Sequence, residues 1–566
     1  SSLDDLSGAS CCEAFAFVFL LEGFEFLKKA LEEGYFEDLI RKYLLDNTHG
    51  AILSLVPEKG LAAKRDKELE EKLENYRKSL SDEELTRMVE NTKALEAYQE
   101  SEEDPEALTC IPMLSREDIK KEITGLTNEE HYVDDSLFLY HDVCTNGIGY
   151  ADLLFEIHDF DVNTVHYLGL LKSVLGAVDT ENYSYGELFN EVNARTGGIA
   201  YGIEVFDDAQ DTDAFRAMFA VRGKALYPEM DFMFSMIREV LTTSKLTDTK
   251  RLYEIIARVK SRAQASLASA GHSTAVLRGA SYASPMAAFQ DEMAGIGYYQ
   301  FIEKLEKNFD SCKEEIVKNL RKVMEEVLRP ENFCVSYTGE RESLDTVKTQ
   351  AAEIKKVLFN GQKPEPVKQA PCVKKNEAFK TSGQVQYVAQ NGNFRKKGLE
   401  YTGALEILKV ILSYDYLWIN LRVKGGAYGC MSGFKRNGES FLVSYRDPHL
   451  KRTLEVYQGV PDYIRAFEAD EREMTKYIIG TISNKDVPRT PQMQGSISKT
   501  AYFSNVTEDM LQKERNQILG AQKEDIQKLA ALVEAVLSDD QICVVGSETA
   551  IEKAEDVFME VKPLIG

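Results

Sequence analysis

The sequence predicts an α+β protein built from tandem homologous domains, each an antiparallel sheet backed by helices, with a helical hairpin in front of them. The first observation is a repeat, because LLKSVLG at 170–176 recurs as ILKVILS at 407–413. The second is that a helix and a Gly-Gly pair follow in each copy, in FNEVNARTGGIAYG at 189–202 and LWINLRVKGGAYG at 417–429. Duplication of one α+β unit explains this recurring order of elements.

The two copies also end alike. Each closes with an apolar strand and a turn, FCVSYTGE at 333–340 and ICVVGSE at 542–548. The copies are therefore predicted to span residues 112–360 and 375–566. The segment between them, 361–374, is rich in lysine and proline and is predicted to be a linker.

Residues 1–57 are predicted to be the tail of a preceding domain. FEFLKKALEEGYFEDLIRKYLL, which begins at Phe24, has helical periodicity, and AILSLVP, which ends at Pro57, is a β-rich run. The apolar run AFAFVFLL at 14–21 is less than half of the ~20 residues that a membrane span needs, so a buried strand or helix is expected. Since the chain opens without methionine or a basic leader, a fragment or a processed chain is expected.

Residues 58–111 are predicted to form a hairpin of two charged antiparallel helices. Ser81 followed by Glu84 is the capping-box pattern that starts the second helix. The apolar positions fall on one stripe per helix: Leu69, Leu73, Tyr76 and Leu80 on the first, and Leu85, Val89 and Thr92 on the second. Helices that pack on each other are favoured over a coiled coil that binds a partner, because the stripes are short.

The composition excludes several classes of function. The formal net charge of −25 over 566 residues argues against a nucleic-acid partner and against an anionic membrane surface, since both require clustered lysine and arginine. Nine cysteines with neither disulfide-framework nor CxxC spacing indicate a reducing compartment. A cytoplasmic protein is therefore expected.

The Gly-Gly motif differs between the copies in the residues around the glycines. A helix that turns sharply into a strand favours glycine for positive φ and close backbone approach, so the glycines themselves are architectural. Aligning the copies on the glycines sets Arg422 against Ala194 and Tyr428 against Ala200. The second copy thus carries a cation and a phenol where the first carries methyl groups.

Two interpretations of Arg422 and Tyr428 remain open from the spacing. An arginine in the last turn of a helix meets the helix dipole favourably, and a tyrosine on a strand is ordinary. Alternatively, the helix end and the strand start lie side by side across a tight turn, so both donors converge on one acceptor, such as a substrate carbonyl or an oxyanion.

Together these motifs resemble a known family. RVKGGAYG at 422–429, with YDYLW before it and SYRDP at 444–448 after it, resembles the C-terminal half of the pitrilysin/insulinase superfamily of zinc peptidases, in its presequence-protease branch. YFEDLIRKYLL at 35–45 and YSYGELFNEVNARTGGI at 183–199 extend the resemblance to nearly the whole chain, except about the first 23 residues. It implies four homologous α+β domains in two halves of a clamshell, which a helical hairpin joins and in which peptides are cut.

The resemblance assigns a place to each segment. It implies that residues 1–57 end the second domain, that 58–111 form the hairpin, and that the two copies are the third and fourth domains. It further implies that Arg422 and Tyr428 hydrogen-bond the scissile carbonyl at a zinc site in the N-terminal half. An organelle matrix, entered with a targeting peptide that is later removed, becomes the alternative location.

The family's zinc motif, HxxEH, does not occur in this chain. The nearest string, TNEEH at 127–131, has Thr127 where the first histidine is needed. Glu156 and His158 share a strand face, but two ligands without a third are insufficient for a metal site. No other pair has ligand spacing among the seven histidines, which are His49, His131, His141, His158, His166, His272 and His449.

The sequence and the resemblance therefore indicate two alternative functions. The first is the C-terminal half of a zinc oligopeptidase, which contributes a chamber wall and two donors, binds no metal itself and is inactive alone. Its partners would be peptide substrates and the zinc-bearing N-terminal half, on the same chain or a separate one. The alternative is a non-catalytic structural or scaffolding subunit of the same superfamily, for which two converging donors would have no use.

Overall fold

The computed structural model describes residues 22–56, 58–101, 105–108, 110–158, 161–362 and 371–565. The chain divides into two compact units at the junction between Ile111 and Pro112. The larger unit begins at the residue where the sequence predicts the first repeat to start. Most of the predicted linker, residues 363–370, lies outside the described residues, as does the apolar run at 14–21.

The smaller unit is helical in its described part. Its elements are α1 (22–32), α2 (Tyr35–Ile40) continued by a π-helical turn (Arg41–Leu45), α3 (Leu61–Ser79), α4 (Asp82–Glu100) and α5 (Pro105–Leu108). The predicted capping box is confirmed at the start of α4, where the Glu84 amide donates to Ser81 Oγ over 3.2 Å and the Ser81 amide donates to Glu84 Oε2 over 2.9 Å.

Two predictions for this unit are wrong in detail. Residues 51–56 form no strand, and Ile52 is 99% exposed, because a β-rich run needs a neighbouring strand and none pairs with it among the described residues. The apolar stripes of α3 and α4 are also exposed, with Leu69 and Leu73 each more than half accessible to solvent. The two helices form as predicted, but their stripes are not buried against each other.

The larger unit contains two six-stranded sheets that match in the order of five strands. The first has the order β1-β2-β6-β3-β5-β4 and the second β12-β7-β11-β8-β10-β9. Their strands are β1 (Glu129–Val133), β2 (Ser136–Asp142), β3 (Ile148–Ile157), β4 (Ile199–Asp207), β5 (Phe215–Leu226), β6 (Phe333–Gly339), β7 (Glu377–Thr381), β8 (Tyr387–Asn393), β9 (Gly429–Phe434), β10 (Glu439–Tyr445), β11 (Gln541–Ser547) and β12 (Glu560–Pro563). The strands β2-β6-β3-β5-β4 of the first sheet correspond, in position and in chain order, to β7-β11-β8-β10-β9 of the second. This correspondence confirms the tandem α+β fold.

The sheets are mixed rather than purely antiparallel. The pairs β2–β6 and β7–β11 are parallel in the two copies, and β12 is parallel to β7, whereas the remaining pairs are antiparallel. The reason is that β6 and β11 return to their sheets after long helical crossovers, which can join parallel neighbours where a hairpin cannot.

Each copy also contains many helices, several of which pack on the face of its own sheet that holds the main core. Those of the first copy are α6 (Val162–Val174), α7 (Tyr185–Arg195), α8 (Met230–Thr243), α9 (Thr249–Ser269), α10 (Gly271–Ala280), α11 (Pro285–Ala294), α12 (Ile296–Lys307), α13 (Phe309–Val327) and α14 (Leu344–Lys356). Those of the second are α15 (Ala404–Tyr414), a π-helix (Trp418–Val423), α16 (Lys451–Gln458), α17 (Val460–Arg465), α18 (Glu471–Lys485), α19 (Pro491–Phe503), α20 (Glu508–Leu519), α21 (Lys523–Gln527), α22 (Ala530–Ser538) and α23 (Glu548–Glu552). Across the described ranges, no helix combines the length and apolar character required to cross a bilayer.

The opposite face of each sheet is covered by a helix from the other copy. Helix α10 lies on the second sheet, and Arg278 on it makes a buried ion pair of 2.6 Å with Glu377 of β7. Helix α19 lies on the first sheet, where Lys499 reaches Asp152 of β3 at 2.5 Å and Glu204 of β4 at 2.7 Å. The two copies are therefore joined by a reciprocal exchange of helices.

Candidate functional site

The segment that carries the Gly-Gly motif of the second copy is a π-helix that turns directly into β9. The Lys424 amide donates to the carbonyl of Ile419 over 2.9 Å, the five-residue spacing that defines a π-turn. The Ala427 amide then donates to the carbonyl of Leu421 over 2.8 Å. These bonds place residue 428 immediately beside the end of the helix.

Each glycine of the pair meets a different requirement. A Cβ on Gly425 would lie 2.5 Å from the carbonyl oxygen of Leu421, which is backbone and cannot move aside easily. Gly426 has a φ of +76°, in the left-handed region where other residues are strained. Gly198 of the first copy has a φ of +109°. The architectural interpretation of the glycines therefore agrees with the backbone.

Arg422 and Tyr428 are brought together by this turn. The guanidinium carbon of Arg422 lies 5.0 Å from the ring centroid of Tyr428, and Nη1 of Arg422 donates to the carbonyl of Tyr428. Tyr428 is 64% exposed. Among the described residues, the Tyr428 hydroxyl has no hydrogen-bond partner and no carboxylate pairs with Arg422. Both side chains thus keep donors available to a ligand.

The backbone of Tyr428 is fixed by the end of β10 and the turn after it, the segment that contains the SYRDP string. The Tyr428 amide donates to the carbonyl of Tyr445 over 3.0 Å, and the two rings make an edge contact with centroids 5.9 Å apart. Within the turn, Asp447 is buried and accepts hydrogen bonds from the His449 amide over 2.8 Å and from the Thr453 hydroxyl over 2.6 Å. Burial raises the pKa of Asp447 above its ordinary value despite these bonds. The turn is therefore an ordered support for the site.

The equivalent segment of the first copy has no such pair. Ala194 and Ala200 are exposed and carry no donors. Its nearest arginine, Arg195, stacks on Phe232 with the guanidinium carbon 3.7 Å from the ring centroid, and its Nε donates to Glu229 over 2.9 Å. The donors of Arg195 are thus engaged by a carboxylate, in contrast to those of Arg422.

Trp418 is not among the site residues that the sequence predicts. The guanidinium carbon of Arg422 lies 4.7 Å from the Trp418 ring, so the cation lies near two aromatic rings. The signal was present in the sequence, because Trp418 is the only tryptophan of the chain and precedes Arg422 by four residues, a spacing at which side chains on a helix meet.

Neither TNEEH at 127–131 nor the pair of Glu156 and His158 forms a zinc site. His131 and the two residues before it lie in strand β1, so TNEEH cannot present two ligands on one helical face. Thr127 bonds to Ser498, and His131 Nδ1 lies 2.9 Å from Lys348 Nζ. Across the part of the chain that the structure describes, no three or more His, Cys, Asp and Glu side chains are grouped to hold a metal ion. The described residues therefore do not fit zinc.

Glu156 and His158 lie at the end of β3. Nε2 of His158 is 3.6 Å from Glu156 Oε2, while Phe155 and Ile157 on the other face are buried. This is the polar strand face that the alternation of residue types predicts.

Comparison with known proteins gives matches over both copies. The family described as associated with peptidase M16, subfamily C, matches residues 55–305, and the PreP C-terminal domain matches residues 376–548. Protein HypA of Clostridium perfringens is 38% identical over 541 residues, which are 96% of this chain and 55% of that protein. Presequence protease 1, chloroplastic/mitochondrial, of Arabidopsis thaliana is 28% identical over 548 residues, with 94% of this chain and 50% of that protein covered.

A solved structure has a similar fold. The peptidase M16 inactive domain from Pseudomonas fluorescens aligns with a TM-score of 0.52 and 14% identity, over 75% of this chain and 98% of that one. At that identity the likeness concerns the fold alone. The chain spans about half the length of the curated relatives it matches.

Proposed function

The chain corresponds to the C-terminal half of a presequence-protease-like M16 peptidase, and on this premise we propose that it supplies Arg422 and Tyr428 as hydrogen-bond donors to the peptide carbonyl that such an enzyme attacks. Its partners in this function are peptide substrates and a zinc-bearing N-terminal half. Alone, the chain binds no stoichiometric zinc and cleaves no peptide, because it holds neither the HxxEH ligands nor their glutamate base.

The observation that carries the proposal is the pairing of two donor side chains whose one acceptor, among the described residues, is the Tyr428 carbonyl that Nη1 of Arg422 meets. Arg422 has five N–H donors, and in the part of the chain that the structure describes its guanidinium contacts two ring faces and one carbonyl. The side chain of Tyr428 is exposed, and its backbone amide is fixed by a hydrogen bond to β10. A cation and a phenol that are adjacent, ordered and open to solvent suit an acceptor that gains negative charge.

The chemistry required of the pair is simple. When a peptide carbonyl is attacked, its oxygen gains charge as the carbon becomes tetrahedral, and donors already in place stabilise that charge more than they stabilise the substrate. Arg422 would donate N–H bonds and Tyr428 its O–H to that oxygen, and neither side chain would need to give up its proton. Their effect would therefore fall on turnover rather than on substrate binding.

The state of the described cysteines also supports a reducing compartment for the proposed enzyme, either the cytoplasm or an organelle matrix. The seven described cysteines, at positions 110, 144, 312, 334, 372, 430 and 543, are all free thiols. Such thiols persist where disulfides are kept reduced.

The test uses the chain assembled with the zinc-bearing N-terminal half, referred to below as the assembled peptidase. Arg422→Ala and Tyr428→Phe are each expected to lower kcat about a hundredfold, since losing one such donor typically costs ~3 kcal/mol of transition-state stabilisation. KM should change much less, and zinc content should not change. The measurement is steady-state cleavage of a quenched fluorescent peptide together with metal analysis.

The first copy supplies matched controls. Arg195→Ala removes an arginine from the equivalent helix end, and Ala200→Ser alters the position equivalent to Tyr428; both should leave kcat unchanged. Unchanged turnover in Arg422→Ala and Tyr428→Phe, with a lowered melting temperature, would reject the catalytic role and favour the scaffolding alternative. One tightly held zinc per isolated chain would contradict the division of labour between the halves.

A further inference from the structure

The guanidinium of Arg422 lies between two aromatic rings. Its carbon is 4.7 Å from the ring of Trp418 and 5.0 Å from that of Tyr428. Tyr428 has a role in the proposed function, but Trp418 has none there. It is 38% exposed, so it contributes less to the core than a buried tryptophan would.

We propose that Trp418 is a positioning residue, which holds the plane of the Arg422 guanidinium so that its free N–H groups face the carbonyl oxygen of the substrate. This inference rests on the proposed function of Arg422. Trp418 itself touches neither the substrate nor the reacting atoms and acts through the arginine.

An aromatic ring suits this task better than a carboxylate. The N–H donors of a guanidinium lie in its plane, whereas a ring attracts the cation through its face. A ring therefore restrains the side chain and leaves its donors unoccupied. Arg195 shows the other arrangement, since its Nε and Nη2 both bond to Glu229 and are no longer available.

The helix presents the two side chains together. Leu417 and Leu421 are buried four residues apart and fix one side of the π-helix to the core of the second copy. Trp418 and Arg422 each follow one of these leucines, so they emerge as neighbours at the same four-residue spacing. The carbonyl of Arg422 accepts from the Gly426 amide over 2.9 Å, which ties this turn to the glycine pair.

The first test uses the 566-residue chain alone, because its single tryptophan reports only on this site. Arg422→Ala should uncover one face of the indole, so the acrylamide quenching constant of Trp418 should rise and its emission should shift to the red. Arg195→Ala, which makes the same change of charge in the first copy, should alter neither. Identical quenching in wild type and Arg422→Ala would overturn the proposal, because it would mean that the guanidinium does not cover the ring.

The second test measures turnover by the assembled peptidase. Trp418→Leu should lower kcat roughly three- to tenfold with little change in KM, as expected for loss of a cation–π contact that orients a donor. Trp418→Phe, which keeps an aromatic face, should retain most of the wild-type kcat. Ile419→Ala, at an exposed neighbouring position, should have no effect and controls for disturbance of the helix.

The outcomes separate this inference from the function on which it rests. If Arg422→Ala lowers turnover and Trp418→Leu does not, positioning by Trp418 is wrong while the function of Arg422 stands. If Arg422→Ala leaves turnover unchanged, the proposed function fails, and with it the positioning role. Loss of activity in Trp418→Leu and Trp418→Phe alike, with native melting temperatures, would also contradict the proposal, because an aromatic face alone should suffice.

Discussion

Replacing Lys499 by methionine tests the contact that joins the two copies. Lys499 is only 3% exposed, and its Nζ lies 2.5 Å from Asp152 and 2.7 Å from Glu204 of the first sheet. Methionine keeps most of the apolar stem but leaves two carboxylates beside α19 without their cation. Removing one partner of a buried ion pair typically costs about 3–5 kcal/mol. Because both carboxylates retain some access to water, we expect about 3 kcal/mol, at the lower end of that range.

The assay is urea unfolding of the chain, followed by circular dichroism. Lys528→Met is the matched control, since the Lys528 side chain is 73% exposed and, among the described residues, pairs only with Asp525 of its own helical segment. A change within about 0.5 kcal/mol is therefore expected. Neutralising the acids as well, in Lys499→Met with Asp152→Asn and Glu204→Gln, should recover part of the loss. A Lys499→Met variant as stable as wild type would refute the reasoning that this buried ion pair holds the copies together.

Two further predictions concern stability. Burial lowers the pKa of His141 to about 4 in the folded chain. Between pH 6.5 and 4 the unfolded state therefore binds a proton that the folded state does not. The free energy of unfolding consequently falls as the pH drops from 6.5 towards 4. His141→Gln should reduce the slope of the unfolding free energy against pH by about 1.4 kcal/mol per pH unit, as measured by urea unfolding at several pH values. An unaltered slope would mean that His141 is not the group responsible. Gly426→Ala should cost about 1–2 kcal/mol because of its positive φ, whereas Gly186→Ala, in open space on α7, should be neutral or stabilising; equal melting temperatures for the two variants would contradict the backbone argument.

Patterns that are local in the sequence predicted local structure well. The repeat led to the matching strand orders, the Ser81–Glu84 spacing led to the capping box, and the glycine pair led to the sharp helix-to-strand turn, because each depends on residues close together in the chain. The exchange of α10 and α19 could not be predicted in this way. The bond from Lys499 to Asp152 spans 347 positions, and no local periodicity specifies such a partner.

Departures from the predictions have similar causes. Apolar residues at helical spacing predict a helix, as at Leu69 and Leu73, but do not determine what covers the stripe. Spacing also placed Arg422 near Tyr428, because one tight turn connects them. It did not show that the Arg422 guanidinium lies between two rings, since that depends on the rotamer and on the π-helical turn.

The central claim is that Arg422 and Tyr428 stabilise the oxygen of a tetrahedral intermediate. Its most direct test is the affinity of the assembled peptidase for a phosphonamidate peptide, whose tetrahedral centre imitates that intermediate, compared with the affinity for the matched amide peptide. In Arg422→Ala and in Tyr428→Phe, the phosphonamidate should bind about a hundredfold more weakly, while the amide peptide should lose less than about threefold. Equal losses for the two ligands, or no loss for the phosphonamidate, would contradict the account.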